Sequence, residues 1–320
     1  MTIVSAGIGD LISSHDASGR VIDTAPDGFA FPLEVFAVDR TTYAAFLPDA
    51  EAEVVSDLGF LRVVLSESSA RVRRLGEGGS LTFRTPQGRL LTATVEAVLP
   101  DTMLGAAEVL TVDGDLLARD RLTPRYALVQ GSLSPEALRS GLEAALGIHT
   151  PLQVLTVGDT PLARHADSVR PQSHIKLEFG EFAYREGRGR GIEIDPVWEA
   201  AHIVETDLPL LGRVKCHRQF AEVLGGVLGA LEDAGAGDAI DARSFLGCWN
   251  PRWITDRRGL SRHAWGVAAD INFGNTLDGG QGSPVHPALL TAMSDAGITS
   301  GHEWVQPDPG HFEWVGDGWS

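Results

Sequence analysis

The sequence predicts an α+β protein with two units, a β-rich α+β domain over residues 1–172 and a separate domain over residues 173–320. Three observations support this prediction. A length of 320 residues is about twice that of a typical domain. All seven tryptophans and both cysteines lie after residue 197. The segment 158–173 is polar and interrupted by prolines, which is typical of a linker.

In the first domain, short β-rich runs alternate with turn sequences. Strands are predicted at residues 61–65, 81–84, 90–99 and 108–112, separated by GEGG, TPQG and DGD. One helix follows, since Ser134 can cap it, Pro135 suits its first turn and Gly147 can end it. The next stretch, PLQVLTV, is predicted as a strand. This half contains no pattern that resembles a catalytic constellation, so its role stays open.

The second domain is predicted to begin with a strand, because IKLEFGEFAY alternates apolar and polar residues. The REGRGRG that follows is predicted as a solvated hairpin tip. Apolar residues then recur with a helical period over residues 216–234, and Gly235 ends the run. A strand-like SFLGCW comes next. A helix over residues 287–296 and a strand near residues 311–315 complete the domain.

The composition argues against several classes of function. A formal net charge of −17 disfavours nucleic-acid binding, since such proteins neutralise phosphates with a basic surface. The same charge disfavours an anionic membrane surface. No run approaches roughly eighteen apolar residues, so no transmembrane segment is predicted. The N-terminal residues lack the basic start and apolar run of a signal peptide, so no targeting segment is visible in this chain.

Side chains of the types that bind zinc cluster in the string SRHAWGVAADIN, and about forty residues later in DPGHFE. His263 and Asp270 are seven positions apart, which would place them on opposite faces of an uninterrupted strand. Gly266 lets the chain turn between them, so both can meet one ion. His311 would complete a set of three ligands with one open position, the pattern of catalytic zinc. The alternative is that each histidine is a hydrogen-bonded polar residue at the domain surface.

The first string matches the pattern S-x-H-x-x-G-x-A-x-D. It resembles the zinc D-Ala-D-Ala carboxypeptidase and dipeptidase superfamily, which includes VanY-like enzymes and endolysin L-alanyl-D-glutamate peptidases. The terminal D-x-x-H-F-E is similar to the second metal motif of that family. The resemblance covers about residues 175–320. It implies a fold shared with hedgehog signalling domains, an antiparallel sheet with flanking helices.

The resemblance also implies the roles of the metal-site residues. His263, Asp270 and His311 would bind Zn²⁺. Asp308 would act as general base and later as general acid. Glu313 is an alternative base, because it lies two positions after His311 on the same strand face. Its other candidate role is to accept a hydrogen bond from one of the metal ligands.

Further roles come from positions around the metal motif. The resemblance assigns Ser261 to the substrate-binding wall and Arg252 to the oxyanion or the substrate carboxylate. Arg262 is expected to be a solvated loop charge, like Arg257 and Arg258. Two cysteines allow one disulfide or two buried thiols, and CHRQF and GCWNPR resemble actinobacterial members in which Cys216 and Cys248 would be bridged. Where relatives often carry Trp-Gly-Gly, this chain reads SGHEW, which leaves the shape of the substrate pocket open.

These observations favour a zinc metallopeptidase that hydrolyses peptidoglycan stem peptides, as a D-Ala-D-Ala carboxypeptidase or an L-Ala-D-Glu-type endopeptidase. Its expected location is extracellular or in the cell envelope. One alternative is a non-catalytic cell-wall-binding module with a structural zinc site, which would need a fourth ligand such as His302. Another is a cytosolic peptide hydrolase with free thiols. The sequence leaves open which bond is cut and the oligomeric state.

Overall fold

The computed structural model describes residues 1–105, 107–117, 122–147, 154, 170–254, 259–273, 285–302, 304 and 307–316. Helices and several sheets are mixed in these residues, which confirms the α+β class. No helix in the described ranges has both the length and the apolar character needed to cross a membrane. Contacts divide the chain into a first unit of Met1–Ser132, Pro171–Asp195 and Trp253–Gly259, and a second unit of Leu133–Arg170, Pro196–Arg252 and Leu260–Ser320.

The strands in chain order are β1 (Thr2–His15), β2 (Val21–Thr24), β3 (Phe31–Val38), β4 (Arg62–Ser66), β5 (Ser80–Arg84), β6 (Leu90–Leu99), β7 (Val109–Val112), β8 (Thr123–Leu128), β9 (Tyr184–Glu186), β10 (Ile192–Ile194), β11 (Ile203–Leu208), β12 (Gly212–His217), β13 (Ala268–Asp270), β14 (Ile298–Gly301) and β15 (Asp308–Trp314). The helices are α1 (Arg40–Ala44), α2 (Asp49–Ser56), α3 (Glu67–Arg73), α4 (Asp101–Leu104), α5 (Pro135–Leu146), α6 (Gln172–Phe179), α7 (Pro196–His202), α8 (Arg218–Asp233) and α9 (Pro287–Asp295). Short 3-10 turns lie at Gly237–Ala239, Ala242–Ser244 and Arg262–Ala264.

Six strands of the first unit form a closed sheet, called here the barrel, in the order β1-β3-β7-β4-β6-β5, in which β5 pairs back onto β1. The pairs β3–β7 and β4–β6 are parallel, while the other pairs in the barrel are antiparallel. The long strand β1 also pairs with β2 and β8. Closure gives every strand of the barrel a hydrogen-bonded neighbour on both sides, so none of the six is a free edge.

Alternating side chains from all six strands pack together as one buried apolar cluster, the inner core of the barrel. It includes Leu11, Leu33, Val63, Leu81, Val95 and Val109. A second buried cluster combines residues of the opposite strand faces with α1, α2 and α4, among them Val4, Phe36, Tyr43, Val55, Val64 and Leu104. The period of two along the strands therefore gives the first unit an inner core and an outer core covered by helices.

Residues 171–195 pack with the first unit, beyond the predicted boundary between residues 172 and 173. Their attachment is polar as well as apolar. The ammonium of Lys176, which is 2% exposed, lies 2.8 Å from the fully buried carboxylate of Glu108. The phenol of Tyr184 donates to Asp10 at 2.5 Å. Because buried charges need close partners, these contacts fix α6 and β9 on the barrel. Most of the predicted linker lies outside the described residues.

In the described residues of the second unit, the strands form two small antiparallel sheets. The hairpin β11–β12 pairs Val204 with Cys216 and leads directly into α8. The other sheet has the order β13-β15-β14. Helix α8 packs against α9 and the hairpin, and its Phe220 stacks on Trp314 of β15 with ring centroids 6.2 Å apart. This packing holds β15, and with it His311, in the middle of its sheet.

Many predicted elements are confirmed, including β4–β7, α5 between Ser134 and Gly147, and α9. The strand predicted for IKLEFGEFAY is wrong over most of its length, because α6 occupies Gln172–Phe179 and only the final Tyr184 begins a strand. Pro171 precedes that helix, and Gly180, with φ 87°, ends it. Ile175 and Phe179, four residues apart, are both buried on one helix face. The PLQVLTV stretch lies outside the described residues except at residue 154.

Candidate metal centre

Three different elements supply the predicted ligands. His263 lies in the 3-10 turn, whose N-cap is Ser261, and the Ser261 hydroxyl accepts a hydrogen bond from the His263 backbone N–H at 3.4 Å. Asp270 ends β13, and His311 is its direct cross-strand partner on β15. Directly opposed residues of an antiparallel pair project side chains to the same face. The strand register therefore brings Asp270 and His311 together.

Gly266 makes the turn between His263 and Asp270, as the sequence predicts. Its φ is +70°, a backbone conformation that residues with a Cβ atom rarely adopt. A Cβ there would lie 2.7 Å from the backbone nitrogen of His217. Glycine is therefore required both by conformation and by space.

The three side chains meet at one carboxylate oxygen. Asp270 Oδ1 lies 3.1 Å from His263 Nε2 and 2.9 Å from His311 Nδ1. One candidate ligand atom from each residue lies within 4.8 Å of the others, and all three residues are buried. Two imidazole nitrogens and one carboxylate oxygen are a typical donor set for zinc. The structure thus brings together the ligands that the sequence predicts.

The distal nitrogen of each imidazole faces an acceptor. His263 Nδ1 lies 2.9 Å from the carbonyl of Cys248, and His311 Nε2 lies 3.5 Å from Glu313 Oε2. With Nδ1–H donated to that carbonyl, a neutral His263 presents the lone pair of Nε2 to the Asp270 carboxylate. Two acceptors that face each other at 3.1 Å suit a cation between them. The residues present therefore fit a metal ion.

The pKa values follow from burial and from the shared carboxylate. Burial lowers the pKa of His263, so this ring is neutral at neutral pH. Burial also opposes charge on His311, but hydrogen bonds to Asp270 and Glu313 outweigh it and raise the pKa of His311 to about 9. Burial raises the pKa of Asp270, but its close contacts with the ring nitrogens of His263 and His311 outweigh this and hold that pKa well below its usual value. Asp270 is therefore a carboxylate at neutral pH.

Asp308, the predicted base, is the first residue of β15, three positions before His311. Burial raises its pKa, and the charges of His311, Asp270 and Arg252 act on it as well. Asp308 is therefore in the electrostatic field of the three-residue group. A raised pKa suits a carboxyl group that has to accept and release a proton.

Arg252 and Ser261 occupy different positions relative to this group. The Arg252 guanidinium is 3.6 Å from Asp270 Oδ2 and is partly exposed. Ser261 is 7% exposed, and its hydroxyl caps the turn that carries His263. Its predicted place in the substrate wall stays a prediction.

The expectation of a solvated Arg262 is wrong. This side chain is 8% exposed, donates to the carbonyl of Arg170 at 2.6 Å and lies 3.9 Å from Glu313. Its guanidinium also lies over the Trp265 ring, 5.9 Å from the centroid. Glu313 is thus placed between Arg262 and His311, which favours the role of orienting the ligand over that of a base. Neighbouring Arg257 and Arg258 lie outside the described residues.

The group that could hold a metal has three members within the described residues, and His302 is not among them. The ring of Trp304 lies beside the site, with its centroid 5.1 Å from that of His311. Glu303, which lies between His302 and Trp304 in sequence, is outside the described residues. The structure therefore offers three protein ligands and a neighbouring aromatic side chain.

Cys216 and Cys248 are joined by a disulfide. The residues alone allow either this bond or two thiols, and the family resemblance implies the bond, but neither indicates that the carbonyl of Cys248 contacts His263. A backbone carbonyl is present at every residue, so sequence patterns cannot single one out. Burial of Arg262 is missed for a related reason, because arginines are mostly exposed and its partners are distant in sequence.

Residues 255–314 match the model of a peptidase family described as D-alanyl-D-alanine carboxypeptidase. The matched segment contains His263, Asp270, Asp308, His311 and Glu313. The resemblance seen in the sequence is thereby confirmed for this part of the chain. No curated protein and no solved structure matches the chain.

Proposed function

We propose that this protein is a zinc-dependent peptide hydrolase that cleaves peptidoglycan stem peptides, as a D-Ala-D-Ala carboxypeptidase or an L-Ala-D-Glu-type endopeptidase. The buried group of His263, Asp270 and His311 carries this proposal. Its position inside the segment that matches the carboxypeptidase family supports the substrate class. The antiparallel sheet that holds two of the three residues is consistent with a hedgehog/DD-peptidase-like fold, which is part of the proposal.

His263, Asp270 and His311 would hold the zinc ion through Nε2, a carboxylate oxygen and Nδ1. When bound, zinc supplies Lewis-acid activation of water and of the peptide carbonyl. Asp308 accepts the proton of the attacking water and passes it to the nitrogen of the leaving amine. Arg252, held next to Asp270, donates N–H groups to the oxyanion or to the C-terminal carboxylate of the substrate.

The number of ligands favours catalysis over a structural zinc site. A structural site is closed by four protein ligands, whereas a catalytic site keeps one position open. Three donors form the group in the described part of the chain. This observation favours the peptidase over the non-catalytic wall-binding module.

We also propose an extracellular or cell-envelope location. The Cys216–Cys248 disulfide supports it, because such bonds persist mainly in oxidising compartments. Free thiols in the native protein would instead favour the cytosolic hydrolase.

Metal analysis and digestion of purified muropeptides test the function. The wild-type protein should contain one zinc ion per chain and should release D-Ala or split the stem between L-Ala and D-Glu. The His263→Ala variant should lose zinc. The Asp308→Asn variant should retain zinc, while its kcat should fall roughly 10²- to 10⁴-fold because a general base is removed.

Two results would contradict parts of this proposal. A wild-type protein without zinc and without activity on any stem peptide would remove it entirely. An Asp308→Asn variant with full activity would remove Asp308 as the base, and Glu313→Gln is then the next variant to measure. Glu205→Gln, at an exposed pair with Arg213, is the matched control and should behave like the wild type.

A further inference from the structure

We propose that the Cys216–Cys248 disulfide is a positioning element of the metal centre. It holds residues 246–250, called here the clamp segment, whose backbone contacts two of the proposed ligands. The inference rests on the proposed function, since it concerns the affinity of the same site for zinc. It adds a role for a bond that would otherwise serve only the stability of the unit.

The clamp segment binds both His263 and Asp270 through its backbone. The carbonyl of Cys248 accepts from His263 Nδ1 at 2.9 Å. On one side of it, the N–H of Leu246 donates to the carbonyl of Asp270 at 3.0 Å. On the other side, the N–H of Asn250 donates to the carbonyl of His263 at 3.2 Å. Alternate residues of one short segment therefore hold two ligands that are seven positions apart.

The other half of the disulfide lies in regular structure. Cys216 is in β12, and its cross-strand partner is Val204 of β11. The adjacent His217 donates its backbone N–H to the carbonyl of Gly266 at 2.9 Å. The bond thus connects the clamp segment to a strand that also supports the turn between the ligands.

The clamp segment is also anchored at Trp249, whose backbone N–H donates to the carbonyl of Lys215 at 2.9 Å and whose ring stacks on that of Trp198. Apart from an isolated bridge between Gly247 and Asp270, it belongs to no strand or helix. Leu246 is 55% exposed, whereas Cys248 is completely buried. A segment held by single backbone bonds opens more readily than one within an element. The covalent bond at Cys248 therefore limits the motion of the carbonyl that orients His263.

Loss of an outer contact to a metal-ligating histidine typically lowers metal affinity 10- to 100-fold. We expect this loss in a Cys216→Ala/Cys248→Ala double variant, which also removes thiols that would themselves bind zinc. Zinc affinity is measured by competition with a chromophoric chelator, well below the unfolding temperature. In the metal-free protein, the Nδ1 proton of His263 is followed by NMR, and in the variant its signal should shift and exchange faster with water.

A destabilising variant away from the site separates positioning from general stability. Val227→Ala removes buried side-chain volume from α8, where Val227 is 7% exposed. It should lower the unfolding temperature but leave zinc affinity within about twofold of the wild type, since no outer contact of a ligand is lost. Equal zinc affinities in the wild type and the double variant would overturn the inference. Wild-type protein that binds no zinc would overturn the proposed function, and the inference with it.

If the double variant fails to fold, the native protein provides the second measurement. Tris(2-carboxyethyl)phosphine reduces the disulfide to two thiols and is itself oxidised to the phosphine oxide, with oxygen and protons supplied by water. The concentrations of free thiols and of chelator-bound zinc are measured in parallel over time, and circular dichroism reports whether the fold persists. Zinc release should follow thiol appearance. Retention of zinc by folded, fully reduced protein, with the NMR signals of the His263 ring unchanged from those of the oxidised zinc-bound protein, would overturn the inference.

Discussion

At the level of single residues, Gly266 controls the approach of His263 to Asp270. Its φ is +70°, and a Cβ added there would lie 2.7 Å from the backbone nitrogen of His217, which leaves no room for a side chain. Gly266→Ala should therefore lower the free energy of unfolding by roughly 2–4 kcal/mol, since left-handed strain and a backbone clash add together. Urea denaturation measures this change.

Gly235 is the matched control for that variant. Its φ is +71°, but nothing lies within 4 Å of the position of an added Cβ. Gly235→Ala should lower the free energy of unfolding by only about 1–2 kcal/mol, from conformational strain alone. If the free energy of unfolding falls by the same amount in both variants, the clash with His217 does not contribute to the loss of stability.

The ligands could be predicted from sequence because their residue types and spacing are specific to one chemistry. His263, Asp270 and His311 are brought together as expected. The groups that orient them could not be predicted as readily. The Cys248 carbonyl has no side-chain signature, and the burial of Arg262 depends on Arg170, which is 92 residues away along the chain.

At the level of elements, Asp101 links three helices of the first unit. It begins α4, and its Oδ1 accepts from the backbone N–H of Ser68 in α3 at 3.0 Å. Its Oδ2 lies 2.8 Å from His174 Nε2 in α6. Burial raises the pKa of Asp101, but the bonds from His174 and Ser68 outweigh it and lower the pKa to about 2.

This lowered pKa makes the stability of the first unit dependent on pH. A carboxylate with a lower pKa in the folded state stabilises the fold above the unfolded-state pKa of 3.8, and this stabilisation is lost as pH falls toward about 2. At pH 6, Asp101→Asn should lower the free energy of unfolding by roughly 1–2 kcal/mol, a discounted value because the side chain is partly exposed. The difference from the wild type should shrink between pH 5 and pH 3, as measured by chemical denaturation.

Asp27→Asn, at an exposed position, is the control. It should change the free energy of unfolding by less than about 0.5 kcal/mol at each pH. A constant difference between wild type and Asp101→Asn across this pH range would show that the charge of Asp101 does not contribute.

Elements were predictable where the local pattern agreed with the tertiary environment. The run at residues 90–99 forms β6 over the same residues, and Ser134 caps α5 as expected. In α6, the spacing of apolar residues over a short stretch is also compatible with a helix, and that helix lies between Pro171 and Gly180. Closure of the barrel depends on pairing of β1 with β5, which are far apart in sequence and have no local signal.

At the level of the whole molecule, residues 171–195 belong to the first unit although they follow the segment predicted as a linker. A fragment of residues 173–320 would therefore expose side chains that are buried in the complete chain. These side chains are Ile175, Lys176, Phe179, Phe182 and Tyr184.

We expect the fragment 173–320 to self-associate more than the fragment 196–320, because newly exposed apolar area favours association. Size-exclusion chromatography with light scattering compares the two at equal concentrations. The opposite order would indicate that residues 173–195 are accommodated without the first unit.

The uneven distribution of tryptophan suggests two units, but it carries no information on how the path of the chain alternates between them. Composition reports averages over long stretches, whereas the path of the chain depends on particular contacts such as that between Lys176 and Glu108. The family match likewise covers residues 255–314 and gives no information about the first unit.

The chain passes between the two units after Ser132, Arg170, Asp195, Arg252 and Gly259. A protease that cuts once after Ser132 would produce two polypeptides that both contribute strands or helices to the barrel unit. Those pieces would separate on a denaturing gel yet migrate together under native conditions. Cleavage of one peptide bond at a point where the chain passes between the units would therefore not separate the units. Limited proteolysis of this protein would identify accessible peptide bonds, but it would not yield isolated domains.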